Sequence, residues 1–453
     1  MSYKKMSSGV LGRVIARVED GQLQEPGKAF EIGPRMILKN GRVVDPANNT
    51  DKVMDVAIHQ DRIVEVAEDI KPEKGERVID VENLIVAPGL IDMHIHLGDL
   101  FEVSTQPIFE SVANGTTLGL SPGAGNTYMA PSLLGAEVDR GVPMNVGLYL
   151  GAASVLGTMA STEELIAFFK GELDEEVGFS KISRNAITLK TGNLVVGIKD
   201  HMGHYLQSDE NIDRCFEITD KAKLVFMSHT QDPDHAERMV GLSKGRSIHL
   251  GHSNAAGCGT HGDAKESMER IVELIKKDNV TGEFVTAMLR PGQGTREGLL
   301  MPKDAQEVAY QALRDGVVDV LISDGQGDAT MKGFADSREN IPCLMELADM
   351  GILTLSQSIA TMTCNPARLL AKQTQQEWWT KEVGHLGVGA RANITVIDPL
   401  DKLATITIVN GVIAGFEDRC VRGANGVGMW VCKYGMLERT GVGDLAMYGY
   451  YDI

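Results

Sequence analysis

The sequence predicts an α/β protein in which a closed (β/α)8 TIM barrel is combined with a small β-sandwich domain built from both chain ends. Three observations support this prediction. The middle of the chain alternates short apolar segments with segments of helical spacing. Eight such apolar segments can be counted, and both chain ends are rich in short strands instead. An open doubly wound sheet is the alternative, but no G-x-G-x-x-G follows the first strand.

The first predicted element is the β-rich segment of residues 35–87. Its alternating apolar residues are interrupted by Asn40-Gly41 and by KPEKGE, which are hairpin and turn signals. The same pattern returns in RANITVIDPLDKLATITIVNGVIAGF, where Asn410-Gly411 is the hairpin signal. Neither end has enough strands for a stable core, so we expect the two ends to meet in one sandwich. The predicted domains are residues 1–90 (N-terminal part of the sandwich), 91–372 (barrel) and 373–453 (C-terminal part of the sandwich and a tail).

Eight candidate barrel strands lie between the two ends. In chain order they are GLIDMHIH, NGTTLGLSPG, PMNVGLYLGA, NLVVGIKD, AKLVFMSHT, RSIHLGHSN, GEFVTAML and VVDVLISDG. Segments such as AKESMERIVELIKKD and DAQEVAYQALRDG have helical spacing and separate them. Repeated βα units of this number and span are typical of a closed barrel.

The composition is that of an ordinary globular protein, and it limits the partners. Of 453 residues, 43% are hydrophobic and 23% are charged. A net charge of −18 argues against nucleic acid, which requires a basic surface. No apolar run reaches membrane-spanning length, and the N-terminus lacks the apolar core of a secretory signal. The six cysteines are scattered without a C-x-x-C pair, so the expected location is the reducing cytoplasm.

Residues that can bind a metal stand at the C-terminal ends of five predicted barrel strands, where barrel active sites lie. His94 and His96, in VAPGLIDMHIHLGD, share one face of the first strand because they are two residues apart. Four later strands end in Lys199, His229, His252 and Asp324. Hydrogen-bonded histidines, a surface lysine and a helix N-cap would explain each residue alone. Together they predict a nitrogen and oxygen site for zinc or a similar divalent ion.

PGLIDMHIH, followed by a strand-end lysine, two histidines and an aspartate, resembles the amidohydrolase superfamily. Within it, the pattern is similar to the binuclear branch of hydantoinases, dihydropyrimidinases, dihydroorotases and isoaspartyl dipeptidase. The similarity continues through TCNPARLLA and GVGARANITVID, and so extends over nearly the whole chain.

The resemblance implies two divalent metal ions, with zinc as the expected metal. His94 and His96 would bind the more buried ion, and His229 and His252 the second. Lys199, carboxylated by carbon dioxide, would bridge the two, since an unmodified lysine is a cation and a poor ligand. Asp324 would bind the first ion and act as the base. His249 is a rival for His252, but it lies three residues earlier on the opposite strand face.

These roles imply hydrolysis of an amide C–N bond in a small molecule. Two ions that share a hydroxide lower its pKa toward neutrality, and Asp324 takes its proton and returns it to the leaving nitrogen. The expected substrate is a cyclic amide or ureide. The alternatives are a linear amide, as for isoaspartyl dipeptidase or D-aminoacylase, and a non-enzymatic relative that keeps the barrel as a scaffold. Every expected ligand type is present, which counts against the scaffold.

Three further residues are candidates for substrate binding. His204 and Tyr205 follow the lysine where relatives place a donor to the developing oxyanion, although packing over the barrel rim explains them equally well. Arg290 closes the seventh strand and can pair with a substrate carboxylate or form a structural salt bridge. Gly325 replaces a histidine that often follows the aspartate in hydantoinases, and SDGQGDAT resembles the segment of isoaspartyl dipeptidase.

We also expect the chain to form a dimer or tetramer. Superfamily relatives with this architecture are commonly oligomers, and the tail GMLERTGVGDLAMYGYYDI ends in tyrosines, which are favoured at protein interfaces. Docking of the tail on its own barrel is the alternative.

Overall fold

The computed structural model of the protein describes residues 34–97, 108–122, 126–201, 207–326, 335–421 and 427–437. Within these ranges the strands form a nine-stranded sheet, a ten-stranded sheet and a two-stranded hairpin. The ten-stranded sheet contains the barrel, and the nine-stranded sheet is built from both chain ends. The predicted fold class is therefore confirmed. Among the helices of the described part, none has the length and apolar character needed to cross a membrane.

The secondary-structure elements follow the predicted strand and helix alternation. The strands are β1 (Met36–Asp45), β2 (Thr50–His59), β3 (Arg62–Ala67), β4 (Arg77–Asp80), β5 (Ile85–Pro88), β6 (Leu90–Asp92), β7 (Thr116–Ser121), β8 (Asn145–Gly151), β9 (Gly197–Asp200), β10 (Val225–His229), β11 (Ile248–Gly251), β12 (Val280–Val285), β13 (Thr295–Arg296), β14 (Leu299–Leu300), β15 (Val320–Ile322), β16 (Ile394–Asp398), β17 (Leu403–Val409), β18 (Val412–Phe416), β19 (Arg419–Cys420), β20 (Trp430–Cys432) and β21 (Gly435–Leu437). The α-helices are α1 (Ile108–Ala113), α2 (Ala130–Arg140), α3 (Ala152–Leu156), α4 (Thr162–Lys170), α5 (Glu175–Lys181), α6 (Ala186–Thr191), α7 (Asp209–Ala222), α8 (Pro233–Ser243), α9 (Ala264–Ile275), α10 (Thr286–Leu289), α11 (Lys303–Arg314), α12 (Asn340–Asp349), α13 (Leu355–Ala360), α14 (Cys364–Thr374) and α15 (Trp378–Glu382). Short 3-10 helices span Pro46–Asn48, Ser253–Cys258 and Ser337–Glu339.

The β domain joins the two chain ends through the antiparallel pairing of β5 with β16. Its main strand order is β19-β18-β17-β16-β5-β1-β2-β3, and β4 pairs with the start of β1. Alternate residues face opposite sides, as the strand period requires. Val86 and Val396 belong to the domain's own core, whereas Ile85 and Ile397 belong to the barrel core. The sheet therefore connects two hydrophobic cores.

Of the two Asn-Gly signals, one forms a hairpin turn and the other does not. Asn410-Gly411 links β17 to β18, and both residues have the positive φ angles that a tight hairpin turn needs (47° and 80°). Asn40-Gly41 instead lies inside β1, where the register with β2 shifts between Leu38 and Gly41. Predicting a hairpin there was wrong, because Asn40 uses its left-handed conformation (φ 64°) to form a bulge. The backbone N–H of Asn40 donates to the carboxylate of Asp55 instead (2.9 Å).

The barrel consists of the eight parallel strands β6 to β12 and β15, which are neighbours in chain order. These strands correspond to the eight apolar segments predicted above. Beyond the last residues of β6 and β15, the chain continues to pair and closes the barrel: His94 O accepts from Asp324 N (2.9 Å), and Gly325 O accepts from His96 N (3.0 Å). Barrel closure therefore brings the first and last candidate ligand segments together.

The strand β20 extends the barrel sheet rather than the β domain. Trp430 and Val431 pair in parallel with Val146 and Gly147 of β8, and β21 folds back on β20. Residues 430–437 therefore lie on the barrel, within the range that the sequence assigned to the sandwich and tail. The domain boundaries themselves stay a prediction.

Candidate metal centre

Two histidines and an aspartate form a buried cluster where the barrel closes. One potential ligand atom of each of His94, His96 and Asp324 lies within 4.8 Å of the others. Asp324 Oδ1 is 3.3 Å from His94 Nε2 and 3.2 Å from His96 Nε2. The backbone pairing across the barrel seam fixes these separations, so the cluster follows directly from closure of the sheet.

Lys199 points from β9 into the same cluster. Its side chain is among the largest that are fully buried, with 1% of the residue exposed. Its Nζ lies 2.7 Å from His94 Nε2. Lys199 is therefore a buried residue, and the alternative of a surface lysine is excluded.

His229 and His252 complete the cluster from β10 and from the residue after β11. Their ring centroids are 4.5 Å apart, and the ring of His252 lies 5.0 Å from that of His94. The Nδ1 atom of His252 is buried and has no hydrogen-bond partner among the described residues. His252 adopts a left-handed conformation (φ 39°), which turns the chain after its strand. The structure thus brings together all six residues that the sequence selected as ligands.

Burial favours the neutral form of three histidines of the cluster. It lowers the pKa of His94, His229 and His252 well below the ordinary value of 6.5. The positive charge of Lys199 lowers all three pKa values further, and that of Arg296 lowers the pKa values of His229 and His252. A neutral imidazole has a lone pair to offer, which is the form that a metal ion requires.

Asp324 is held in its ionised form. Burial alone would raise its pKa, but the hydrogen bond with His96 and the positive charge of Arg296 bring the pKa below the ordinary 3.8. The carboxylate is therefore available both as a ligand and as a proton acceptor at neutral pH.

Glu283 organises three histidines, and the sequence analysis missed it. This fully buried residue of β12 accepts a hydrogen bond from His94 Nδ1 and another from the backbone N–H of His252 (3.0 Å). Its second oxygen is 2.9 Å from His249 Nε2. When Nδ1–H of His94 donates to Glu283, Nε2 carries the lone pair and faces Lys199. The sequence feature that could have identified Glu283 is its charge inside the otherwise apolar strand VTGEFV.

His249, the rival of His252, lies outside the ligand cluster. Its Nδ1 is 2.9 Å from the hydroxyl of Thr281, and its Nε2 contacts Glu283. Both ring nitrogens are thus engaged by strand neighbours, which supports the preference for His252.

Asp92, within the motif GLIDMHIH, connects the two chain segments that meet where the barrel closes. Its carboxylate accepts from the backbone N–H groups of His94 and Ser323 (3.2 Å each) and from the amide of Asn340 (3.3 Å). Complete burial raises the pKa of Asp92 to about 7. The residue links the segment of His94 to that of Asp324, and its role depends on contacts between chain segments that the sequence does not reveal.

A buried arginine also reaches the cluster. Arg296 Nη1 donates to Asp324 Oδ2 (3.2 Å), and its Nε donates to Gln231 Oε1 (2.8 Å). Burial lowers the pKa of this guanidinium, and the charge of Asp324 opposes the effect. Arg296 lies in the same loop as Arg290, the arginine that the sequence analysis selected.

The structure does not place any of the three predicted substrate-binding residues, Arg290, His204 and Tyr205, at the ligand cluster in the part of the chain that it describes. Arg290 forms two ion-paired hydrogen bonds with Glu346 (2.9 and 2.7 Å) and also pairs with Glu339. Its guanidinium is therefore paired with one carboxylate of α12 and one of the short 3-10 helix before it. Of the two predicted roles, substrate binding or a structural salt bridge, the structure shows the salt bridge. His204 and Tyr205 lie outside the described residues.

The donor set fits a pair of divalent ions of the zinc type. It offers neutral imidazoles, an ionised carboxylate and one orphaned buried nitrogen, and it lies at the C-terminal rim of a barrel. Lys199 fits only in a neutral or anionic form, because its ammonium would repel the ions.

Comparisons with known proteins agree with this arrangement. The model of the Amidohydrolase family matches residues 85–420. A dihydroorotase of Geobacter metallireducens is 25% identical over 440 residues, covering 86% of this chain and 96% of that protein. A dihydroorotase of Syntrophotalea carbinolica is 26% identical over 413 residues, covering 81% and 89%.

Solved structures share the fold. Dihydropyrimidinase from Brevibacillus agri NCHU1002 superposes with a TM-score of 0.64 at 16% identity, covering 88% of this chain and 99% of that one. L-Hydantoinase from Arthrobacter aurescens has a TM-score of 0.63 at 16% identity, with the same two coverages. At these identities the likeness establishes the architecture alone.

Proposed function

Because this chain belongs to the amidohydrolase family, we propose that it is a metal-dependent hydrolase that opens the C–N bond of a cyclic amide or ureide. The observation that carries the proposal is the convergence of His94, His96, Lys199, His229, His252 and Asp324 on one barrel rim. The names dihydroorotase and dihydropyrimidinase among the relatives support a cyclic substrate.

In this proposal the cluster holds two ions, with zinc as the expected metal. His94, His96 and Asp324 would hold the first, His229 and His252 the second, and Lys199 would be shared by both after carboxylation by carbon dioxide. When bound, such ions make water a nucleophile at neutral pH and polarise a carbonyl group. Carboxylation replaces a buried ammonium with an anion, which removes the repulsion between Lys199 and the metal ions.

Asp324 performs the proton transfers. Its ionised carboxylate is the base that accepts a proton from the attacking water. The same carboxyl group then returns the proton to the leaving ring nitrogen, which must be protonated to depart as an amine or a urea nitrogen. Burial of the cluster excludes bulk water and strengthens the interactions of each charge.

A substrate panel on zinc-loaded protein tests this proposal. The panel pairs five- and six-membered cyclic amides and ureides with linear N-acyl amino acids and isoaspartyl dipeptides. Ring opening of at least one cyclic compound, without turnover of the linear ones, is the expected result. Turnover of linear amides alone would replace the proposal with the linear-amide alternative.

Replacing Glu283 with glutamine is expected to weaken metal binding by about 10- to 100-fold, because Glu283 orients His94 and neighbouring His252 without being a ligand. The affinity is measured by chelator competition in the holoprotein. Glu307→Gln, an exposed change of the same kind, is the control and should bind metal normally. Unchanged affinity in Glu283→Gln would show that Glu283 does not position the ligands.

We further propose a dimer or tetramer located in the cytoplasm. Residues 438–453 of the tail that prompted the oligomer prediction, which include its tyrosines, lie outside the described residues. The described surface exposes two adjacent apolar side chains, Leu299 and Leu300 (48% and 49% exposed). All six cysteines are free, as expected in a reducing compartment. Light scattering at micromolar concentration should give a multiple of the 49.0 kDa chain mass, and a mass of one chain would contradict the oligomer.

A further inference from the structure

We propose that the C-terminal hairpin of β20 and β21 positions Lys199 by setting the spacing between barrel strands β8 and β9. Lys199 lies on β9, and the hairpin is inserted between these two strands at their N-terminal ends. The inference rests on the proposed function, in which Lys199 is a metal ligand. It assigns a role in that site to a segment at the opposite end of the barrel.

One edge of β8 is divided between two partner strands. Val146 and Gly147 pair in parallel with β20, and residues 149–151 pair with residues 197–199 of β9. The other edge of β8 pairs with β7 over residues 145–148. The hairpin therefore takes the place beside β8 that a regular barrel would give to the N-terminal part of the next strand.

Two buried asparagines fix the chain where it enters the hairpin. The N–H of Val146 donates to Met429 O (2.9 Å), and Asn145 Oδ1 accepts from the N–H of Met429 (3.0 Å). Asn410 Nδ2 donates to Asn145 Oδ1 and to Val427 O (2.7 Å each). Because Asn410 belongs to the turn between β17 and β18, the hairpin is bonded to the barrel and to the β domain at once.

The far side of the hairpin is bonded to the segment before β9 and to two helices. The backbone N–H of Lys433 donates to Val195 O (3.1 Å), four residues before Lys199. Its carbonyl accepts from Trp378 Nε1 of α15 (3.0 Å), and its buried Nζ donates to Ala222 O at the end of α7 (2.7 Å). Displacement of the hairpin would therefore release the chain that leads into the strand of Lys199.

Close packing allows a shift of the hairpin to reach Lys199. All three residues of β20 are fully buried, and a Cβ atom at Gly147 would lie only 2.6 Å from Val431 O. Interiors packed at this density transmit a displacement to neighbouring groups, since there are no voids to absorb it. β9 has four residues, so a change in its spacing from β8 at one end moves Lys199 near the other.

Gly147→Ala tests the inference from the side of the barrel, because the added methyl group displaces the hairpin backbone. Amide hydrogen exchange is measured on metal-free protein, and metal affinity is measured by chelator competition. We expect about 10-fold faster exchange in β20 and β9, with unchanged exchange in β12. Metal binding should weaken by about 10-fold, as it does when a group that orients a ligand is lost. Gly241→Ala in α8, where an added Cβ meets no atom within 4 Å, is the control and should behave as wild type.

Tyr434→Phe tests the inference from the side of the hairpin. It removes the hydrogen bond from the Tyr434 hydroxyl to Phe169 O of α4 (2.8 Å) and adds no atom. We expect a smaller change in the same three quantities, because the other bonds of the hairpin remain. This variant decides the question if Gly147→Ala does not fold.

Faster exchange in β20 together with wild-type exchange in β9 and wild-type metal affinity would overturn the inference. Equal acceleration in every strand would mean that the hairpin contributes only to overall stability, which also overturns it. Unchanged exchange in β20 of both variants would show that these contacts do not hold the hairpin. If wild type binds no metal while exchange in β20 and β9 changes together, the proposed function is contradicted, and the control of β9 by the hairpin is retained.

Discussion

Replacing Lys199 with alanine is expected to remove bound metal and hydrolytic activity together. Lys199 is fully buried against His94. In the proposed centre its side chain, once carboxylated, would hold both ions. Alanine would provide no such ligand, so the repulsion between two bound ions would be uncompensated and metal binding should be lost. Since both activation of water and polarisation of the carbonyl depend on the ions, turnover should fall on the order of 1,000-fold or more.

Metal content by elemental analysis and turnover by a ring-opening assay are measured on the same preparation. Added short-chain carboxylic acids should partly restore both, because they can occupy the position of the missing carboxylate. Lys221→Ala, an exposed lysine paired with Glu217, is the control and should keep metal and activity. If Lys199→Ala keeps both ions and near-normal turnover, the binuclear assignment is wrong, and a single-metal deaminase or aminoacylase should be considered.

Asp324→Asn should separate metal binding from catalysis. The amide has nearly the same shape and retains one oxygen ligand, so most of the metal should remain bound. It cannot accept the proton from water, so kcat should fall by about 100- to 10,000-fold. The two quantities are compared with those of Lys199→Ala on protein loaded in parallel.

Asp349→Asn, a change at an exposed ion pair with Lys402, is the control for this substitution. Loss of metal from Asp324→Asn to the same extent as from Lys199→Ala would mean that Asp324 acts chiefly as a ligand. An unchanged kcat would exclude Asp324 as the base.

Much of the fold could be predicted because its signals are local. Each barrel strand is a short apolar run bounded by a turn, and Asn410-Gly411 lies between two alternating strands. Asn40-Gly41 has the same local preference for positive φ, but Asp55 and the pairing of β1 with β2 make it a bulge. The dipeptide cannot distinguish a bulge from a hairpin, because the distinction depends on the partner strand.

The candidate ligands could be selected from sequence for a comparable reason. A parallel barrel places the C-terminal ends of all its strands on one rim. His229, His252 and Asp324 can therefore be selected as ligands without knowledge of the side-chain geometry. Glu283 and Asp92 act through contacts that cross strands, which only the closed barrel defines. Both are charged residues inside otherwise apolar strands. This unusual position is the sequence feature that could have identified them as functional residues.

The choice between two arginines shows the limit of sequence spacing. Arg290 and Arg296 are six residues apart in the segment after the seventh barrel strand. Sequence spacing alone allows either of them to lie at the rim beside that strand. The turn at Glu297-Gly298 and the carboxylates of α12 and the preceding turn decide which guanidinium enters the site. These factors depend on tertiary structure, so the selection of Arg290 for the ligand rim could not be corrected from spacing alone.

The number of divalent ions per chain tests the central proposal most directly. The protein is expressed in zinc-supplemented medium and freed of loosely bound metal, and elemental analysis is combined with amino-acid analysis of the same sample. Two ions per chain are expected from the six converging ligands. A value of one would contradict the binuclear centre, and a value of zero would contradict the metal-dependent hydrolase itself.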